Sequence, residues 1–358
     1  MDAAELRGEF PVLRRLAYLN AGTDGPVPAA AAAAARAELE RQERDGRWEA
    51  HFARRLELAG SVRAQYAEVL NCTAEDVALT TATSDGISTV LAGLALGAGD
   101  EILTSDEEHP GLLGALQAAQ DLRGVAIRQV PLATIARDVG PRTRLVACSH
   151  VSWITGARAP TELAELEVPV LLDGAQGAGA VPTDVRTLGV EFYAGAGQKW
   201  LCGPDGTGML YVAPAARAEL AATRRGYLSF ERPDKGLDAP LHHDARRYDA
   251  PALSAEALAF ALAALDVLDA AGWPAVHERA KALAAQLAAR LQDRGRAVVS
   301  PADATLISFE SEDPAGERSA LARAGVIVRD LPGRALLRAS VGSWNDEADI
   351  ERLVAGLR

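Results

Sequence analysis

Short runs of β-branched and other apolar residues alternate with longer Ala/Leu-rich stretches through the first two thirds of the chain. The short runs predict strands at Val77–Thr80, Glu101–Thr104, Val125–Val130, Leu145–Ser149, Val168–Asp173, Phe192–Ala194 and Met209–Val212. Between them, helices are predicted at Asp85–Leu96, Pro110–Asp121 and Pro160–Leu166. The run Ala29–Ala35, with Pro28 before it and Arg36 after it, fits an ordinary helix start. Strands apolar on both faces, alternating with helices, define an α/β protein with a mostly parallel sheet covered by helices. Functional residues of such sheets gather at the carboxyl ends of the strands.

After about residue 250 the texture changes. A long Ala/Leu helical region covers roughly 253–294, broken near Gly272-Trp273-Pro274. Strands follow at Leu306–Glu310, Val326–Arg329 and Leu336–Ser340, and a last helix starts near Asp346. This pattern reads as a smaller C-terminal α+β domain. The polar segment Gly226–Pro251 is expected to cross between domains or between subunits.

Composition narrows the function. The 358 residues are 49% hydrophobic and carry a net charge of −12, which excludes disorder as the dominant state and disfavours nucleic acid or an anionic membrane as partner. The most apolar stretch, Ala252 to Gly272, contains Glu256, Asp266 and Asp269, so no membrane span is expected. The N-terminus lacks a basic region followed by an apolar one, and Cys72, Cys148 and Cys202 form no CxxC and no metal pair. These features suit a reducing cytoplasm, with no metal site.

Only three lysines occur, Lys199, Lys235 and Lys281. Lys281 lies in a helical pattern near Arg279, and Lys235 lies in a polar loop beside Asp234; both suit a solvated surface. Lys199 differs, because it sits in the glycine-rich Ala194-Gly-Ala-Gly-Gln-Lys-Trp-Leu-Cys-Gly-Pro just after a strand. Desolvation there lowers the pKa of an amine and favours the neutral, nucleophilic form. Asp173 ends the apolar run Val168–Leu172 and is either the cap of a following helix or a carboxylate facing a cationic heterocycle. Thr83 and Ser84, between a strand and a helix, form a candidate phosphate site. His109, at the end of Asp106-Glu-Glu-His, is either a surface residue or a ring-stacking one. Arg338, inside the apolar strand Leu336–Ser340, needs an anion: a structural ion pair or a substrate carboxylate. An amine, an acid for a pyridinium nitrogen, a phosphate cup, a stacking ring and a carboxylate clamp are what a pyridoxal-phosphate enzyme of amino acids requires.

With these residues the chain resembles the class V aminotransferase-fold enzymes, the group containing cysteine desulfurases, cystine C–S lyases and isopenicillin N epimerase. The resemblance spans about residues 16–357. It rests on Tyr18-Leu-Asn-Ala-Gly22, Thr83-Ser-Asp-Gly86, Glu108-His-Pro110, Ser149-His-Val-Ser152, Asp173-Gly-Ala-Gln176, Gln198-Lys-Trp200 and Arg338-Ala-Ser340. It implies pyridoxal phosphate fold type I, with a large cofactor-binding domain over 16–252 and a small domain from 1–15 and 253–358. It implies Lys199 as the Schiff-base lysine, Asp173 at the pyridine nitrogen, Gln176 near the phenolic oxygen and His109 on the ring face. Thr83 and Ser84 fall at the phosphate and Arg338 at the substrate carboxylate. A homodimer is implied as well, since sites of this family form at a subunit interface.

The chain departs from the family pattern at several places. The usual Ser-Gly-His-Lys is Ala196-Gly-Gln198-Lys199, which removes two phosphate contacts and leaves Gln198 to donate one. Trp153 stands where an asparagine is usual, and Pro251 and Ala252 replace the Gly-Thr by which a partner subunit touches the phosphate. The stretch from Arg329 to Arg338 is short and free of cysteine, unlike the desulfurase loop. The cystine or cysteine lyase branch is the nearest in look, and β-elimination at a sulfur-bearing amino acid is the expected reaction. Transamination or epimerisation from the same carbanion is the alternative, and a non-catalytic scaffold of this fold is a further one.

Overall fold

The computed structural model describes residues 1–301 and 303–357. In chain order the helices are α1 (Ala3–Gly8), α2 (Ala29–Asp45), α3 (Glu49–Leu70), α4 (Thr83–Gly93), α5 (Pro110–Arg123), α6 (Ala255–Ala271), α7 (Trp273–Asp293), α8 (Pro314–Arg323) and α9 (Glu347–Gly356). The strands are β1 (Ala17–Tyr18), β2 (Val77–Thr80), β3 (Glu101–Ser105), β4 (Ala126–Val130), β5 (Thr143–Ser149), β6 (Val170–Asp173), β7 (Phe192–Ala196), β8 (Gly208–Val212), β9 (Leu306–Glu310), β10 (Val326–Ile327), β11 (Arg329–Asp330) and β12 (Leu336–Ser340).

Seven strands form the large sheet, in the order β2-β8-β7-β6-β5-β3-β4. All neighbours are parallel except β8, which runs antiparallel to both β7 and β2. Apart from the edge strand β4, the strands bury both faces, as near-continuous apolar runs should. One face packs under α3 and α6, with Leu58, Val62, Tyr66, Leu258 and Leu265 in the core. Ile87, Val90, Leu112 and Leu116 from α4 and α5 cover the other. In a smaller C-terminal unit, β9, β12 and β11 form an antiparallel sheet packed on α7 and α9.

Local chemistry sets the element ends. Helix α5 starts with Pro110 at a first-turn position, where a missing N–H costs nothing, and stops at Gly124 in the left-handed region (φ 70°). Ser254 caps α6, its hydroxyl accepting from Ala257 N–H at 3.3 Å, and Asp346 caps α9.

The structure departs from the sequence expectation in three places. Pro160–Leu166 is not an α-helix: Thr161–Glu165 is a 3₁₀ turn that buries only Leu163, too little apolar surface to hold a longer helix. The expected strand Val326–Arg329 divides, because β10 pairs with β1 and β11 pairs with β12. Helix α4 begins at Thr83 rather than Asp85, which puts Thr83 and Ser84 in its first turn. The pairing of β1 with β10, and the bridge from Asn20 to Ser340, tie residues past 15 to the C-terminal unit. The segment Gly226–Pro251 consists of short 3₁₀ turns, and Ala250 N–H donates to Leu79 O at 2.8 Å beside β2.

A buried ion pair anchors that edge. Arg63 of α3 grips Asp249 through Nη2···Oδ2 at 2.7 Å and Nη1···Oδ1 at 2.9 Å, and Leu79 N–H donates to the same carboxylate at 2.9 Å. Removing one partner leaves a buried, unpaired charge. Asp249→Ala is therefore expected to destabilise the fold by about 3–5 kcal/mol, read as a drop in the denaturant midpoint. A shift below about 1 kcal/mol would mean that water reaches Arg63.

Candidate active site

Adjacent strands place the two central charges. Asp173 is the last residue of β6, in register with Ser149 of β5 and Ala194 of β7. The chain leaves β7 at Ala196 and turns at once, so Lys199 comes back over the same carboxyl edge. Several backbone bonds fix this turn: Gly203 N–H donates to Gly197 O (2.9 Å), Cys202 N–H to Lys199 O (3.1 Å) and Gly25 N–H to Gln198 O (2.7 Å). Gly25 must be glycine, because a Cβ there would lie 2.1 Å from Lys199 O. No helix follows Asp173, so it does not act as a helix cap; its Oδ1 accepts from Ala175 N–H at 2.9 Å.

The two charges compensate each other. Burial lowers the Lys199 amine to a pKa of about 8, while Asp173 pulls it back up and Arg338 pushes it further down. Burial raises the Asp173 carboxyl above the usual carboxylate range, against the opposing pull of Lys199 and the Ala175 N–H. Both line a cavity of ≈ 250 Å³.

At one end of the cavity lies the N-terminus of α4. Ala82 at the N-cap has no side chain to cap it, and the buried Thr83 hydroxyl has no partner in the protein. Ser84 lines the cavity next to Thr83, and a Cβ on Gly111 would come within 2.6 Å of its Oγ. Uncapped N–H groups, the helix dipole and free hydroxyls together suit a phosphate group. Gln198 also lines the cavity, with its buried Oε1 unpartnered. Gln176 is more committed: its Nε2 donates to Gly22 O (2.7 Å) and its Oε1 accepts from Trp200 Nε1 (2.9 Å), leaving one N–H for a ligand.

His109 is the N-cap of α5, its Nδ1 accepting from Gly111 N–H at 3.0 Å. Burial lowers its pKa to about 4, helped by Lys199, Arg329 and Arg338, so the ring is neutral near pH 7 and carries its proton on Nε2. Trp153 meets it edge-on, with centroids 5.0 Å apart. The cavity also has a cationic side. Arg338, 1% exposed, donates through Nη1 to Trp153 O (2.8 Å) and reaches Thr23 Oγ1 through Nη2 (3.5 Å). Its Nε has no partner, and it makes no carboxylate ion pair among the described residues.

Every residue singled out in the sequence (Thr83, Ser84, His109, Asp173, Gln176, Gln198, Lys199 and Arg338) lines this one cavity. Sequence reasoning missed Arg329 and Thr23, which line it too. Arg329 lies directly opposite Arg338 in the β11–β12 register and donates to Thr23 Oγ1 at 3.1 Å. A second arginine flanking a short hairpin was the available signal. Pro251 and Ala252 do not line the cavity.

The sequence profile of the family described as aminotransferase class-V matches residues 19–353, so the chain belongs to that family. Isopenicillin N epimerase from Amycolatopsis lactamdurans is 31% identical over 95% of this chain and 94% of its own length. The enzyme of the same name from Streptomyces clavuligerus is 29% identical over 68% of this chain and 64% of its own length. Cysteine desulfurase from Klebsiella pneumoniae strain 342 is 35% identical, with 58% of this chain and 57% of the relative covered. The last two matches thus span less than two thirds of those relatives. Among solved structures, the complex between the cystine C–S lyase C-DES and its reaction product cysteine persulfide superposes with a TM-score of 0.91 at 29% identity, covering 97% of this chain and 98% of that one.

The lowered pKa of Lys199 is directly testable. In cofactor-free protein, acylation of Lys199 by an amine reagent should rise with pH up to about 8 and then level off. A rate that keeps climbing toward 10.5 would show a solvated, ordinary ammonium.

Proposed function

We propose that this protein is a pyridoxal-phosphate-dependent lyase that cleaves the C–S bond of a cystine- or cysteine-type amino acid by β-elimination, without a persulfide-forming cysteine of its own. One observation carries the reading: the cavity combines the Lys199 amine with two guanidiniums that form no salt bridge among the described residues, and no cysteine lines it. Burial pushes the Cys148 and Cys202 thiols well above the ordinary range, and Cys72, whose thiol is pushed up to about 12, lies outside the cavity. Thiolate chemistry is disfavoured at all three.

The residues fit the cofactor. The α4 N-terminus with Thr83, Ser84 and Gln198 would hold the phosphate, Asp173 would hold the proton of the pyridine nitrogen, Gln176 would donate its spare N–H to the phenolic oxygen, and His109 would cover the ring face. When bound, pyridoxal phosphate supplies a ring that takes up the electron pair left at Cα. Arg338 binds the substrate α-carboxylate, and Arg329 binds a second carboxylate such as that at the far end of cystine. Lys199, as the neutral amine, removes the Cα proton. The pair left at Cα then forms a Cα=Cβ bond as the Cβ–S bond breaks with its electron pair going to sulfur, and hydrolysis of the resulting three-carbon enamine gives pyruvate and ammonia. His109, neutral and tied at Nδ1, orients rather than protonates.

The likeness to isopenicillin N epimerase favours a second reading, epimerisation at Cα. That outcome returns the proton to Cα and releases neither sulfur nor ammonia. The protein is further read as a homodimer working in the cytoplasm. Three free cysteines suit that compartment, and no described helix is long and apolar enough to cross a membrane.

The deciding experiment measures pyruvate, ammonia, released sulfur species and substrate chirality over a panel of amino acids. Cystine or cysteine should give pyruvate and ammonia, and a Cys72/Cys148/Cys202 triple serine variant should keep that turnover. Loss of turnover in the triple variant with cofactor still bound, or inversion without ammonia, would overturn the lyase reading. Lys199→Ala should lose at least about 10³-fold in kcat, the scale of a positioned base. Arg329→Ala should raise KM for cystine about tenfold (~1.4 kcal/mol) and leave cysteine within twofold.

A further inference from the structure

The turn 152–157 bridges the two sides of the cavity. It follows β5 and carries Trp153, whose ring meets His109 and whose carbonyl holds Arg338. On the C-terminal side, Ile154 O accepts from Ser308 Oγ, and a Cβ on Gly156 (φ 77°) would lie 2.7 Å from Leu306 O. Trp153, Ile154 and Leu331 form their own small apolar cluster. The distance between the stacking ring and the carboxylate clamp therefore depends on the shape of this turn.

Two hydroxyls hold that shape. Ser152 Oγ accepts from Ile154 N–H and Thr155 N–H, both at 3.1 Å, and Thr155 Oγ1 accepts from Ala157 N–H at 3.1 Å. A hydroxyl can receive these bonds in a fixed direction only if its own proton points elsewhere. Both protons go to one atom, Glu107 Oε2: Thr155 Oγ1 donates at 2.6 Å and Ser152 Oγ donates to it as well. Glu107 sits two residues before His109, on the same loop. Its neighbour Glu108 makes a parallel tie, accepting from Ser149 N–H (2.9 Å), Ser149 Oγ (2.6 Å) and Ser105 Oγ. Glu107 does not line the cavity, so it touches no substrate.

We propose that Glu107 is a positioning residue that sets substrate-carboxylate affinity by locking the Trp153 turn, and through the Trp153 carbonyl the Arg338 guanidinium, to the His109 loop. The inference rests on reading Arg338 as the carboxylate clamp. An ionised acceptor makes both hydroxyl bonds stronger than a neutral amide would, and an amide can also turn its NH₂ toward the hydroxyls and reverse them. Glu107→Gln loosens the turn without removing any group from the cavity.

The test uses holoenzyme and succinate, a non-reacting dicarboxylate, in titration calorimetry, together with steady-state kinetics on cystine. Glu107→Gln should weaken succinate about tenfold and raise KM in parallel, with kcat within about twofold. Thr155→Val removes one of the two bonds and should shift both quantities in the same direction by a smaller factor. Added to Glu107→Gln it should do little more, because the two share one interaction. Near-UV dichroism of the cofactor-free protein should lose a Trp153 contribution in Glu107→Gln, judged against Trp153→Phe. If Glu107→Gln lowers Tm but leaves succinate affinity and KM unchanged, Glu107 is only structural and the proposal fails. Arg338→Lys serves as the control. If it leaves succinate affinity unchanged, the clamp reading itself is wrong. If it weakens succinate and Glu107→Gln does not, only the present inference falls.

Discussion

A buried amine and a buried carboxylate that compensate each other govern the design of this protein. Taken singly, either charge would be expelled or neutralised at the edge of a dry sheet. Taken together, Asp173 restrains the fall in the Lys199 pKa and Lys199 restrains the rise in that of Asp173. The pairing requires two chain segments to end on the same edge of the sheet. Parallel β6 and β7 supply that, with Asp173 opposite Ala194 and a tight glycine-rich turn after Ala196. Reversing β7 would send Lys199 to the far edge of the sheet.

The remaining cavity residues belong to the same electrostatic pattern. A helix N-terminus and two guanidiniums both line the cavity, so it favours negative charge on its ligand. Desolvation and the nearby cations keep His109 neutral between them. Arg329 and Arg338, held opposite each other in a short antiparallel hairpin, repel when no anion is present. Thr23 is the hydroxyl they share. Binding an anion relieves that repulsion, so part of the affinity reflects the discomfort of the empty wall.

Much of this was legible in the chain. Strand-length apolar runs ending in Asp173, and a solitary lysine among glycines, mark the edge where chemistry collects, because burying those groups without a purpose is costly. The start of α4 was misjudged by two residues, since Thr83 and Ser84 look like caps and are in fact first-turn residues without one. The split between β10 and β11 leaves no local mark, because Val326–Arg329 reads as one extended run and only the different partners of its two ends separate them. Arg329 and Thr23 escaped notice for a related reason: their place at the cavity comes from a hairpin register and from the N-terminal segment joining β10 and Ser340. Neither leaves a local pattern of hydrophobic and polar positions.

The contact between the two ends of the chain bears on how the protein is made. Thr23 meets arginines more than three hundred residues later, and Arg7 meets Asp349 at 2.8 Å. During synthesis the N-terminal segment leaves the ribosome long before its partners exist. The seven-stranded sheet has all its strands by β8, but α6, which covers one of its faces, follows later. A nascent chain at that stage has Asp173 at its strand end, but neither the Gly25 bond that holds the Lys199 turn nor the two guanidiniums. Closure of the ends therefore completes both the Lys199 turn and the arginine-lined side of the cavity, so the site depends on segments from both ends of the chain.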